Sequence, residues 1–135
     1  MKKAFISLLL FSQVINACKD GNVPTVKSDL FGQWLQTEYL NDPGNGSGTW
    51  QKPSPNSYEV ISFRRDYVFV GGDGQYNLFP GYISFRIRSD STLTLYKTSH
   101  ADSLRLRISL TSKTLEIDPP CIERCGMRFS KITNY

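Results

Sequence analysis

The sequence predicts an all-β fold, an antiparallel up-and-down β-barrel of eight or nine short strands, on two observations. From residue 30 onward apolar side chains recur every second residue, and no window of helical length carries a 3.6-residue pattern. Turn-forming residues separate these runs at short intervals, as sequential hairpins require. Eight such strands must close on themselves or form two packed sheets to remove their open edges, so a β-sandwich is the alternative.

The alternation is clearest in residues 103–110, where four aliphatic side chains share one face and two arginines and a serine share the other. Residues 82–88 repeat it, with Ile83, Phe85 and Ile87 predicted to point inward. A single helical turn is expected at residues 28–31, ahead of the first strand. In chain order the predicted strands are 32–40, 59–63, 67–70, 82–88, 93–95, 103–110, 115–117 and 127–133.

The first 18 residues have the parts of a secretory signal: Lys2 and Lys3, an apolar core over residues 4–11, and a small residue before Cys18. This core is shorter than the ~20 residues that a membrane-spanning helix needs. The run 14–18 (VINAC) resembles the lipobox of bacterial lipoproteins, which implies cleavage before Cys18 and lipidation of its thiol. The alternative is a plain signal peptide followed by an incidental cysteine.

The lipobox resemblance divides the chain into a removed signal (1–17), a lipidated cysteine with a flexible tether (18–28) and one barrel domain (29–135). It implies an outer-membrane lipoprotein of the cell envelope, held at the membrane by its lipid. Loss of Lys2 and Lys3 leaves 14 basic against 12 acidic residues, a net charge of +2. Because no basic run remains, we expect no nucleic-acid partner. We also expect the protein to be a monomer.

A second resemblance involves a G-x-W at residues 32–34 and an arginine, Arg128, at the start of the last predicted strand. Together with residues 42–51 (DPGNGSGTWQ) and 121–129 (CIERCGMRF), this set resembles the small lipocalin-like lipoproteins of Bacteroidetes and spans nearly all the mature chain. The resemblance implies that Gly32 lets the backbone pass close to the barrel floor, that Trp34 plugs that end, and that Arg128 stacks over Trp34. Where an Asp-Gly turn is expected, the chain has Arg65-Asp66.

The long connection over residues 41–57 is the first candidate for a binding element, because loops of this length are often functional. It carries Trp50, which would face the barrel cavity if the loop acts as a lid, or pin the loop to the barrel exterior. Tyr39, Phe63 and Phe85 are further candidates for contact with a ligand. The loop lacks the later glutamate of an EF-hand and the Lys-Ser/Thr of a P-loop, so we expect neither a metal nor a phosphate there.

Cys121 and Cys125 are expected to form a disulfide, as cysteines of exported proteins commonly do. Their spacing along a strand would be ~13 Å, so the pairing requires a turn. Free thiols and a redox or metal role are the alternatives. His100 lies in a predicted hairpin with Asp102, too close in sequence for triad geometry, and no G-x-S-x-G motif is present.

These observations predict no catalytic constellation, no metal and no cofactor. An eight-stranded barrel can hold one small ligand or be filled by its own side chains. We therefore expect a membrane-anchored protein that binds a small apolar or amphipathic molecule rather than an enzyme. The alternative is a structural or protein-interaction module of the cell envelope with a filled barrel.

Overall fold

Antiparallel strands curl into one nearly closed, barrel-shaped sheet in a computed structural model that describes residues 28–72, 78–99 and 101–134. A 3-10 turn, Ser28–Leu30, precedes the first strand. The strands in these ranges are β1 (Gly32–Asn41), β2 (Thr49–Gln51), β3 (Val60–Phe63), β4 (Phe69–Val70), β5 (Tyr82–Ser89), β6 (Thr92–Lys97), β7 (Ser103–Leu110), β8 (Thr114–Asp118) and β9 (Cys125–Thr133). No helix in the described ranges is both long and apolar enough to cross a membrane.

The strand order is β4-β3-β1-β9-β8-β7-β6-β5, with β2 on β1. Since β9 pairs with β1 from Gln33 to Asn41, β2 and β3 lie one after the other along the opposite edge of β1. The wall closes between β4 and β5 through a bridge that joins Val68 to Ser84. This topology confirms the all-β barrel prediction, and the β-sandwich alternative is not adopted.

The predicted strands match the observed ones closely, and the exceptions have local causes. β7 has the predicted bounds, with Leu106 and Ile108 buried and Arg105 and Arg107 exposed. β2 falls inside the predicted loop 41–57 and was missed. Ile83 was predicted to point inward, which is wrong, since it lies at a register shift of β5 and is 46% exposed.

One half of the barrel interior is filled with aromatic side chains. Phe63 packs against Phe85 at 5.1 Å and against Phe69 at 5.3 Å between ring centroids. Phe31 extends the cluster at the Gly32 end of β1, 6.4 Å from Phe85. Trp34 is completely buried in the same core, and its indole N–H donates to the Leu30 carbonyl at 2.9 Å. This end of the barrel is therefore closed by packed rings.

Tyr67 directly follows Arg65-Asp66, the pair that stands where the resemblance leads one to expect Asp-Gly. Its φ is 62°, in the left-handed region that glycine adopts without steric cost. Its ring packs 5.7 Å from Phe85 and 6.4 Å, edge-on, from Phe31, and its carbonyl accepts the Phe85 N–H at 3.1 Å. The turn thus accepts a strained backbone and gains a ring that covers the aromatic cluster.

Replacement of Tyr67 separates these two effects. Tyr67→Ala should lower the free energy of unfolding by about 1–2 kcal/mol, because two ring pairs are lost while the left-handed conformation remains. Tyr67→Gly loses the same ring but relieves the strain, so it should be about 1 kcal/mol more stable than Tyr67→Ala. Urea unfolding of both variants measures the difference. A glycine variant no more stable than the alanine variant would contradict this account.

Candidate functional site

The other half of the interior holds a cavity of about 530 Å³. Its strand residues come from the second half of β1 and the first residues of β7 and β9, which meet at one end because neighbouring strands are antiparallel. The cavity is lined by Gln36, Tyr39, Leu40, Pro53, Ser54, Ser57, Leu78, Phe79, Leu104, Pro119, Cys125, Gly126 and Met127. Phe79 also packs against Phe69 at 5.7 Å, so it separates the cavity from the aromatic cluster.

The cavity wall is mainly apolar, and no lining residue among the described ones carries a charge. Two of its hydroxyls already donate hydrogen bonds within the protein. Tyr39 Oη donates to Gln51 Oε1 at 2.9 Å, and Ser57 Oγ donates to the Ser54 carbonyl at 3.0 Å. Such a lining suits an apolar or amphipathic molecule better than an ion.

Of the four residues predicted to contact a ligand, Tyr39 lines the cavity. Phe63 and Phe85 lie in the filled half, in contact with each other, and are not among the residues that line the cavity. The alternation predicted that these phenylalanines point inward, which they do. The alternation does not indicate which part of the interior, along the barrel axis, is filled and which is empty.

Trp50 lies on the barrel exterior and does not line the cavity. It pairs with Leu40 of β1, which pairs in turn with Gly126 of β9, so all three occupy one face of the wall. A Cβ on Gly126 would lie 2.9 Å from Trp50 Cη2, which shows that the indole rests on this glycine. The packing of Trp50 against Gly126 and under Arg128 agrees with the alternative that it pins the loop to the barrel, not with a lid over the cavity.

The long loop still reaches the cavity, through Pro53, Ser54 and Ser57 on the connection between β2 and β3. Its first turn is organised by Asp42, whose Oδ1 accepts the N–H groups of Gly44 at 2.9 Å and Gly46 at 3.1 Å. Burial would raise the pKa of Asp42, but the backbone N–H groups around it outweigh burial and hold the pKa below its ordinary value. The Asp42 carboxylate thus organises the backbone of the loop.

Arg128 lies on the same exterior face as Trp50, with its guanidinium 3.7 Å from the centroid of the Trp50 ring. Its Nε donates to Glu116 at 3.0 Å and one terminal nitrogen donates to Glu38 at 3.1 Å. The hydrogen bonds to these two carboxylates raise the pKa of Arg128, so its side chain stays positively charged. The interaction ties β1, β2, β8 and β9 together on the outside of the barrel.

The expectation that Arg128 stacks over Trp34 is wrong. The cation over Trp34 is Lys131, whose Nζ lies 5.1 Å from the ring centroid and donates to the Asp29 carbonyl. Desolvation lowers the pKa of Lys131, although Asp29 opposes the shift. Gly32 has a φ of 143°, and a Cβ there would lie 2.2 Å from the Thr133 carbonyl oxygen. The backbone therefore does pass close to a neighbour at this glycine.

Glu59 is a buried carboxylate that the sequence analysis did not single out. It is completely buried, and its Oε2 accepts the N–H of Leu78, a cavity-lining residue, at 3.3 Å. A Cβ on Gly72 would lie 2.2 Å from the same oxygen. Glu59 therefore holds the chain before β5 against the barrel. As the first residue of a predicted strand, Glu59 showed no sequence pattern that would indicate this role.

The predicted disulfide between Cys121 and Cys125 is confirmed, with Cα atoms 6.1 Å apart across a turn. Cys125 lines the cavity, and Glu123 of the same turn packs over Gly44, at the tip of the loop after β1. Cys18 and His100 lie outside the described residues. Within those residues, no cluster of three or more histidine, cysteine, aspartate or glutamate side chains could hold a metal ion.

Fold and site together define a small antiparallel β-barrel, filled by aromatic rings at one end and containing an apolar cavity at the other. No protein-family model matches this chain, and no curated protein or solved structure matches it either.

Truncation of Arg128 tests the exterior interaction. Arg128→Ala should lower the free energy of unfolding by about 1–2 kcal/mol, because a cation–π contact and two partly exposed ion pairs are lost and Glu38 and Glu116 remain side by side. Arg105→Ala, an exposed arginine on β7, is the control and should stay within ~0.5 kcal/mol of wild type. Urea unfolding at low and high salt measures both. Equal effects of the two substitutions would refute the assigned role.

Proposed function

We propose that this protein is a lipid-anchored, lipocalin-like lipoprotein of the cell envelope whose barrel binds one small apolar or amphipathic molecule. The observation that carries the proposal is the cavity of about 530 Å³ at one end of an otherwise filled barrel. Binding pockets for small molecules span roughly 300–1,000 Å³ and are mostly apolar with a few polar groups. Both the size and the lining of this cavity fall within that description.

The distribution of side chains favours binding over a purely structural role. A barrel that serves only as a scaffold would be expected to fill its interior along its whole length, since empty apolar space costs dispersion contacts. Here the aromatic cluster fills one half, while Leu78, Leu104 and Met127 line open space in the other.

Binding is also favoured over catalysis by the chemistry of the lining. General acid–base catalysis requires titratable groups at the reacting centre, with pKa values adjusted to the task. Tyr39 is the one titratable side chain among the described lining residues, and its hydroxyl is engaged with Gln51. Cys125 is held in a disulfide, so its sulfur is not a free nucleophile.

The membrane anchor rests on the sequence at residues 14–18 (VINAC). A thioether-linked diacylglycerol on Cys18, with an acylated amine, would supply more than one acyl chain. Stable anchoring generally needs such a double signal, because a single chain binds membranes only marginally. The residues between Cys18 and the barrel would let the cavity stand off the bilayer surface.

Filling the cavity tests ligand binding. Protein purified from its own host and examined by native mass spectrometry should carry a bound small molecule. Leu104→Trp should reduce the occupied fraction at least tenfold, because the larger ring takes up the space that the ligand needs. Arg105→Trp adds the same ring on the outer face of β7 and should leave occupancy unchanged. An empty barrel in every wild-type preparation would overturn the proposed binding.

Removal of the anchoring thiol tests the membrane assignment. Cys18→Ser should shift the protein from the detergent phase to the aqueous phase, or leave it uncleaved, because no lipid can be attached. The double variant Cys121→Ser/Cys125→Ser keeps Cys18 and should partition as wild type does. Phase separation followed by intact-mass measurement distinguishes these results. Unchanged partitioning of Cys18→Ser would count against lipidation.

A further inference from the structure

Gln36 is a buried polar residue on the cavity wall. It is 4% exposed and lies on β1 between Trp34 of the core and Tyr39, another residue of the cavity wall. Its backbone N–H donates to the Glu59 carbonyl at 2.8 Å, which fixes the strand at this point. Its side-chain amide makes no hydrogen bond to any of the described residues.

An amide in this position is costly unless something satisfies it. Burial of an amide without a hydrogen bond costs about 1–3 kcal/mol in folded proteins. A leucine or methionine of similar volume would fit an inward position of a β-strand without that cost. Since none of the described residues satisfies it and it lines the cavity, the amide is available to hydrogen-bond a molecule inside, whether water or ligand.

The other cavity walls limit what that molecule can be. The described lining contains no lysine, arginine or histidine to balance a buried anion, and no aspartate or glutamate to balance a cation. A charged head group would lose its hydration without a counter-charge, which costs several kcal/mol. A primary amide, in contrast, both donates and accepts hydrogen bonds, as a hydroxyl or carbonyl group requires.

We propose that the Gln36 side-chain amide is the polar anchor of the cavity and that its ligand is an uncharged amphiphile. A hydroxyl or carbonyl group of that molecule hydrogen-bonds to Gln36, and its hydrocarbon part packs along Leu78, Phe79, Leu104 and Met127. This assignment rests on the proposed binding function and adds to it the class of ligand and the residue that selects it.

A displacement assay tests the assignment. N-phenyl-1-naphthylamine, an apolar fluorescent probe, is bound to the processed full-length protein and displaced at pH 8 by 1-octanol or by octanoate. Wild type should prefer octanol at least tenfold over octanoate. Gln36→Leu should weaken octanol binding about fivefold, as expected for loss of one hydrogen bond, and leave the affinity for the probe within twofold.

Two controls keep the outcomes distinct. Gln33→Leu makes the same substitution on β1 outside the cavity, where the side chain accepts a hydrogen bond from Thr133 Oγ1, so octanol binding should stay within twofold of wild type. Unliganded Gln36→Leu should melt at the same or a higher temperature than wild type, because a buried amide is removed. If this variant does not fold, Gln36→Met and the wild-type comparison of octanol with octanoate test the same points.

Different negative results would overturn different parts of the proposal. Absence of probe and octanol binding by wild type would overturn the proposed binding function itself. Probe binding together with equal affinities for octanol and octanoate, or with parallel losses of probe and octanol in Gln36→Leu, would leave the cavity as a binding site. Either of these results would overturn the role proposed for Gln36.

Discussion

The pairing of the first and last strands is the constraint on which the rest of this barrel depends. β1 and β9 run side by side from Gln33 and Thr133 to Asn41 and Cys125, joining segments about a hundred residues apart. Such non-local pairing is entropically expensive, so it must be supported by many side chains. Trp34 with Lys131 supports it from within, and Glu38 with Arg128 supports it from outside. The cavity exists only because this seam closes the wall around it.

The interior is divided along the strand direction into a filled half and a half that contains the cavity. Aromatic rings from β3, β4 and β5 fill the end at which β1 starts, and most of the largest completely buried side chains belong to the hydrophobic core. At the other end, Gln36 and Met127 border the cavity instead of being packed on all sides. Well-packed cores resist deformation, so the filled half can hold the rim of the cavity in shape even when the cavity is empty. The disulfide turn and the Asp42 loop brace that rim from the outside.

Period-two alternation was enough to predict the strands and most inward positions, because the side-chain pattern of a half-buried strand is a direct consequence of its pleat. The same alternation applies to β9, where Met127, Phe129 and Lys131 are alternate residues and therefore face the interior, whereas Arg128 faces outward. It thus predicts that Lys131, not Arg128, lies on the side of Trp34. The family resemblance led instead to Arg128 over Trp34. The bulge on β1 near Thr37, which brings both Gln36 and Tyr39 to the cavity, has no sequence signature. The empty half of the barrel depends on the packing of all the strands together, so no single stretch of sequence encodes it.

The join between β4 and β5 differs from every other join in the described wall. One bridge, Val68 to Ser84, and the hydrogen bond from Phe85 N–H to the Tyr67 carbonyl hold it, whereas β5 to β9 are linked by longer ladders. Local opening costs least where the fewest backbone hydrogen bonds must break. Amide protons flanking this slit should therefore exchange with solvent sooner than those of the meander.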